Sequence, residues 1–129
     1  MTRNFRLLAG VFLLQLGIIA CGTDDNGSEA QKRGVGAACS ADQPCTEPGQ
    51  TCLDFKGGYC GVADCTNDAG CPQGSACVAH DDGRNYCFLV CVSKPECNLT
   101  RPPADEANCS SSVTFVENSS AQKACVPPS

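Results

Sequence analysis

The chain has 129 residues, of which 13 are Cys, and only 14 of its 24 Leu, Ile, Val and Phe residues lie in positions 21–129. This part cannot bury enough apolar surface to offset backbone ordering, which costs about 1–2 kcal/mol per residue, so a conventional enzyme core is excluded and covalent cross-links must supply the order. Positions 21–129 carry seven bases and 14 acids, a net charge of −7 with neutral His, which argues against nucleic acid as a partner.

The first 20 residues predict an export signal that forms a helix. Arg3 and Arg6 precede a run from Leu7 to Ala20 that is apolar apart from Gln15. The run has 14 residues, fewer than the ~20 that span a bilayer as a helix. A cleaved signal peptide over 1–20 is therefore expected. A buried helix or an uncleaved signal anchor are the alternatives.

The odd number of cysteines sets Cys21 apart from the rest. It follows the apolar run directly and precedes Cys39 by 18 residues. The sequence Ile18-Ile19-Ala20-Cys21 resembles the lipobox of bacterial lipoproteins. That resemblance implies cleavage before Cys21, a diacylglycerol on its thiol and an acylated amino terminus. Gly22 follows, where Asp retains many lipoproteins at the inner membrane, so the resemblance implies a lipid-anchored protein of the cell envelope, at the outer membrane.

The alternative is an ordinary signal cleaved near Ala20, which leaves a soluble secreted protein. Four Asn-X-Ser/Thr sequons fit glycosylation of a eukaryotic secreted chain. They begin at Asn26, Asn98, Asn108 and Asn118.

Residues 21–38 are predicted to form the lipidated Cys and a flexible tether. The 17 residues from Gly22 to Ala38 include four Gly and only one sizeable apolar side chain, Val35. Such a composition does not fold alone.

The remaining twelve cysteines form a repeat with a period of 26 residues. The first Cys of each unit is at 39, 65 and 91, and the second at 45, 71 and 97. These positions define unit one (39–64), unit two (65–90) and unit three (91–129). Each unit reads C-x5-C, a gap, C, a second gap and C. The predicted fold class is small and disulfide-rich, with three tandem four-Cys modules of short β-hairpins and turns and little regular secondary structure.

Each unit is predicted to contain a hairpin between its third and fourth Cys. Lys56-Gly57-Gly58 and Asp81-Asp82-Gly83 supply the turns of units one and two. In unit three, Val113–Val116 is the strongest predicted strand and 117–120 is its turn. Tyr59 and Tyr86 each precede a fourth Cys, and each is predicted to cover its own disulfide.

Each four-Cys unit allows three disulfide connectivities. Pairing first to third and second to fourth ties the leading turn to both strands of the hairpin, so we favour it. The predicted bridges are Cys39–Cys52, Cys45–Cys60, Cys65–Cys77, Cys71–Cys87, Cys91–Cys109 and Cys97–Cys125. Each contributes about 2–4 kcal/mol by restricting the unfolded chain.

Catalytic and metal chemistry find little support in the sequence. No C-x-C or C-x2-C pair of the kind that zinc sites use occurs. His80 is the single His, and no nucleophile is singled out as its catalytic partner. It is predicted to be a solvated turn residue. No catalytic residue, cofactor or metal is predicted.

Calcium is a minor hypothesis. Acids recur at Asp64, Asp68, Asp81 and Asp82, but no EF-hand loop is present. A solvated acidic surface is the favoured interpretation.

Unit three differs by an 11-residue insert, 98–108, between its second and third Cys. Inserts in repeat arrays often lie on the binding face, although a tolerated surface loop is the favoured interpretation. Arg101-Pro102-Pro103 in the insert is predicted to be stiff and extended.

The whole chain resembles small Cys-rich surface lipoproteins of delta-class Gram-negative bacteria such as myxobacteria. Its units are loosely similar to EGF-type or Dickkopf-type modules. The prediction is a lipid-anchored, non-catalytic surface protein that binds or adheres to a protein or glycan partner which the sequence does not identify, and that meets the membrane through Cys21. The alternative is a secreted protease inhibitor or ligand-like module, with Arg101 in the loop to test.

Overall fold

The computed structural model describes residues 27–117 and 123–129. The predicted signal peptide, Cys21 and part of the predicted unit-three turn lie outside these ranges. Within them, no helix is long and apolar enough to cross a membrane. The regular elements are short, as expected for a small disulfide-rich fold: α1 (Glu29–Lys32), β1 (Thr51–Leu53), β2 (Tyr59–Gly61), β3 (Ser75–Ala79), β4 (Asn85–Leu89), β5 (Asn108–Ser110), β6 (Thr114–Phe115) and β7 (Ala124–Val126).

Units one and two contain the predicted hairpins. Strands β1 and β2 pair antiparallel with Cys52 opposite Cys60, and β3 and β4 pair with Cys77 opposite Cys87. The third and fourth cysteines of each unit therefore sit side by side on neighbouring strands. Glycines at positive φ make the first turn possible, because Gly57 and Gly58 have φ of 73° and 67°.

Six disulfides join the chain within its units. Each unit pairs its first Cys with its third and its second with its fourth, which is the pattern that modularity favoured. The pairs are Cys39–Cys52, Cys45–Cys60, Cys65–Cys77, Cys71–Cys87, Cys91–Cys109 and Cys97–Cys125. Both bridges of a unit thus tie its leading turn to its hairpin.

Unit three departs from the predicted hairpin. Its cysteine-bearing strands are β5 and β7, with Cys109 opposite Cys125. The segment expected to form its main strand contributes only the two residues of β6, and β6 pairs with β3 of unit two. The physical reason is that β3 has an edge not used by its own hairpin, and Phe115 meets the buried Val78 there.

The amino-terminal segment also differs from the prediction. Residues 28–38, here called the strap, pack on the body, although composition predicts a flexible tether. Ser28 caps α1 in a capping box with Gln31. Ala30 and Val35 are buried, and the amide of Gly36 donates to the carbonyl of Cys60 at 2.9 Å. Backbone hydrogen bonds, which composition does not register, hold this segment.

The main core draws on the strap and all three units, and its aromatic side chains lie between units one and two. Phe55 and Tyr59 of unit one meet Tyr86 and Phe88 of unit two, with ring centroids 5.1–5.9 Å apart in edge contacts across the joint. Tyr59 is fully buried, and its hydroxyl oxygen accepts the amide of Leu89 at 3.1 Å. The two tyrosines expected to cover their own disulfides therefore take part in a shared aromatic core that joins two units.

Candidate functional site

Arg101, expected on a displayed loop, is buried with only 7% of its surface exposed. The insert folds back so that its guanidinium donates to four backbone carbonyls. Their oxygens lie 2.7–3.2 Å away and belong to Lys56, Gly58, Gly36 and Asp105. The guanidinium carbon also lies 5.9 Å from the ring centroid of Tyr59. Burial lowers the pKa of Arg101, and its N–H groups donate hydrogen bonds to the carbonyl oxygens around it.

This position gives Arg101 a structural role. Three of its four partners belong to unit one or the strap, so the side chain fastens unit three to both. A protease inhibitor displays its specificity residue to the enzyme, and a buried guanidinium cannot enter a protease pocket. The hypothesis that Arg101 is an inhibitory loop residue is therefore wrong. Sequence alone offered one signal, a single Arg between neutral residues, which does not distinguish the two roles.

His80 is not the solvated turn residue that sequence predicts. Its side chain is 17% exposed and packs edge-on against Phe55 and Tyr86, with centroids 5.3 and 5.8 Å apart. Its Nδ1 accepts the amide of Asp82 at 3.4 Å. The imidazole is therefore packed in the aromatic core that units one and two share.

The acids considered as calcium ligands do not converge. Asp64 pairs with Arg84 at 2.8 Å, which holds the pKa of that carboxyl below its usual range. Asp68 accepts the amide of Cys77 at 2.8 Å. Asp82 accepts the hydroxyl of Tyr86 at 2.6 Å, and this bond lowers the pKa of Asp82. Within 27–117 and 123–129, no group of three carboxylates meets at one point.

Sulfur atoms do cluster, but as disulfides. In each unit the two bridges lie so close that the sulfurs of the first, second and fourth Cys are within 4.8 Å of one another. A metal binds thiolate, and every one of these sulfurs is in a disulfide. The clusters therefore serve as cross-links.

A cleft of about 220 Å³ lies between the hairpin of unit two and unit three, and we call it the 2–3 cleft. Polar residues from both units line it: His80, Asp81, Ser110, Ser112 and Thr114. Val113 and Val126 add half-buried apolar surface. At about 30 Å³ per water molecule, the cleft has room for a group of roughly seven waters, which is the size of one sugar ring.

A larger recess of about 350 Å³ lies beside the strap. Its two long polar side chains are already engaged. Arg33 donates to the carbonyl of Pro48 and Gln50 donates to the carbonyl of Arg33, both at 3.0 Å. The recess therefore belongs to the docking of the strap, and the 2–3 cleft is the better candidate for a ligand.

The sequons differ in what they offer. The side chain of Asn98 is fully engaged, since it donates to the carbonyls of Lys94 and Ala107 and accepts the amide of Ala107. These bonds join the two ends of the insert of unit three. Asn108 is exposed on β5, and the sequons at Asn26 and Asn118 lie outside the described residues.

No family model matches this chain, and neither a curated protein nor a solved structure gives a significant match.

Proposed function

We propose that this chain is a lipid-anchored protein of the bacterial cell envelope, with a disulfide-linked ectodomain that binds a ligand and catalyses no reaction. The observation that carries the anchor is the distribution of sulfur. The twelve cysteines from Cys39 to Cys125 pair among themselves, so no intrachain partner remains for Cys21. The lipobox resemblance at Ile18–Cys21 gives this thiol a different use.

A disulfide-rich ectodomain is consistent with an exported protein, because such bridges persist in oxidising compartments. Several acyl chains, each contributing about 0.8 kcal/mol per buried CH₂, anchor a protein firmly in a bilayer.

The anchor is tested by expressing the full chain in a Gram-negative host with labelled fatty acid. We expect the wild type to carry label and to sediment with outer membranes. Cys21→Ser abolishes both, while Asn26→Ser, which leaves the lipobox intact, retains both. An unlabelled wild-type chain in the soluble periplasmic fraction contradicts the anchor and favours the released module.

The binding role is assigned to the 2–3 cleft. Hydroxyl-bearing residues beside half-buried valines suit a small uncharged polar ligand, such as one sugar ring of a glycan, because polar and apolar faces alternate on such a ring. Asp81 lies in the lining and the ectodomain is acidic, so anionic sugars are disfavoured.

The cleft is tested by saturation-transfer NMR of the full chain in detergent micelles with neutral, amino and acidic sugars. We expect transfer to neutral sugars, and Ser112→Ala with Thr114→Val weakens binding about tenfold, as two lost hydrogen bonds predict. The matched control is Ser111→Ala with Thr66→Val, since both residues are exposed and neither lines the cleft. Equal affinity in the two variants, or no transfer to any sugar, contradicts this assignment.

A further inference from the structure

The strap is held by unit two at its beginning and by unit one at its end. The amide of Ala30 donates to the carbonyl of Gln73 at 2.7 Å. Further along, Gly36 donates to Cys60, and Cys60 donates back to Ala37, both at 2.9 Å. Gly36 and Ala37 of the strap therefore bond to the free edge of β2.

Side chains secure the same segment from outside. Arg101 of unit three donates to the carbonyl of Gly36 at 3.2 Å. Two apolar side chains of the strap, Ala30 and Val35, are 0% and 4% exposed in the main core. All three units therefore contribute to holding the strap, and release of the strap would break contacts with each.

Docking of the strap reduces the number of residues that link Cys21 to the body. A fully extended chain spans at most about 3.3–3.6 Å per residue. Between Cys21 and Ser28 there are seven steps, which reach about 24 Å at most, whereas the 18 steps from Cys21 to Cys39 would reach about 60 Å. As random coils the two segments average about 15 and 23 Å.

We propose that the strap keeps the ectodomain close to its own membrane, so that a ligand fixed at the surface of that membrane lies within its reach. This inference rests on the proposed lipid at Cys21. Ser28 lies against Gly74, because a Cβ on that glycine would overlap the serine side chain. The chain toward Cys21 therefore leaves the body from the face that carries α1 and the turn at Gly74. A body of this size has a radius of gyration of about 13 Å, so it occupies only the first few tens of ångströms above the headgroups.

The test is neutron reflectometry of the lipidated full chain in a supported bilayer. We expect a protein layer that begins within about 25 Å of the headgroups. Ala30→Asp with Val35→Asp places two charges in the core, releases the strap and moves the layer outward by about 8 Å. The matched control, Ala41→Asp with Val92→Asp, adds the same charges at exposed positions and leaves the layer in place.

Amide hydrogen exchange separates failure of the strap from failure of the anchor. It needs no bilayer and reports whether the amides of Ala30 and Gly36 are protected in the wild type and lose protection in the strap variant, with the six disulfides intact in both. Unprotected strap amides, or equal layer positions for the wild type and the strap variant, overturn the inference while leaving the anchor untouched. A mature chain without acyl groups contradicts the lipid anchor, and the inference about the distance from the membrane then fails as well.

Discussion

Arg101 is the residue whose structural role departs most from its expected one. Its buried guanidinium makes charge-assisted hydrogen bonds to four backbone carbonyls. Sequence could not indicate this, because the acceptors lie on backbone segments 43–65 residues away for three of the four bonds. Main-chain acceptors leave no trace in side-chain patterns.

We expect Arg101→Ala to lower the free energy of unfolding of the oxidised protein by about 3 kcal/mol, because several hydrogen bonds to a charged group are lost and buried carbonyls are left unpaired. Arg101→Lys should retain only part of this free energy of unfolding, since an ammonium group cannot reach all four acceptors at once. Denaturant unfolding measures both. Arg84→Ala is the control and should have a much smaller effect, because the Arg84–Asp64 pair is exposed. Equal losses at the two arginines would contradict the role of Arg101.

The two tyrosines allow a direct optical test of the aromatic core. Burial raises the pKa of Tyr59, and burial together with Asp82 raises the pKa of Tyr86. Each tyrosine has a higher pKa in the folded protein than its unfolded value of about 10. The free energy of unfolding is therefore highest below that pH and declines as the pH rises above it, because the unfolded chain ionises first. With no Trp in the chain, absorbance at 295 nm reports tyrosine ionisation alone.

In the folded protein we expect no tyrosine to ionise with an ordinary midpoint, and Tyr86→Phe should leave a residual signal that appears only as the protein unfolds. In denaturant, both tyrosines should ionise near pH 10. Ionisation at the ordinary midpoint in the folded Tyr86→Phe variant would show that Tyr59 is not buried as described.

The hairpins of units one and two are the elements that sequence predicted best. Turn residues and flanking cysteines fix them locally, and the disulfide pairing follows because each bridge joins a turn to a neighbouring strand. The predicted unit-three strand was wrong in its partner. Val113–Val116 has a suitable strand pattern, but pattern alone cannot tell which sheet edge a strand joins, and here the edge of β3 in unit two accepts β6.

The turn between β1 and β2 depends on a glycine at Gly58. Its φ is +67°, and an added Cβ would overlap the carbonyl oxygen of Cys39 and come within 2.8 Å of the Cys52 sulfur. Gly58→Ala should therefore reduce the yield of chains with all six bridges and destabilise those that form. Gly49→Ala is the control, because Gly49 also has positive φ but its Cβ meets open space, so its cost is about 1–2 kcal/mol of backbone strain.

Disulfide mapping of the purified variants by mass spectrometry measures the effect at Gly58. The expected product lacks or mispairs Cys39–Cys52, while the bridges of units two and three are unchanged. Normal pairing and equal yields for the two glycine variants would contradict the close approach at this turn.

At the scale of the whole molecule, the three units are not structurally independent. The strap, the shared aromatic core, β6 and Arg101 each connect different units. Composition predicted a flexible tether over 21–38 because so few apolar side chains occur there, but two buried apolar residues, main-chain hydrogen bonds and Arg101 together dock 28–38. Sequence thus reports the contents of each module well and the contacts between modules poorly.

The division of sulfur between cross-links and anchor is tested most directly by the intact mass of the mature protein, measured before and after reduction. We predict an amino terminus at Cys21 with added acyl mass, and a twelve-hydrogen mass increase on reduction for the six bridges. A mature chain without acyl mass, or one that reacts with thiol reagents before reduction, would contradict it.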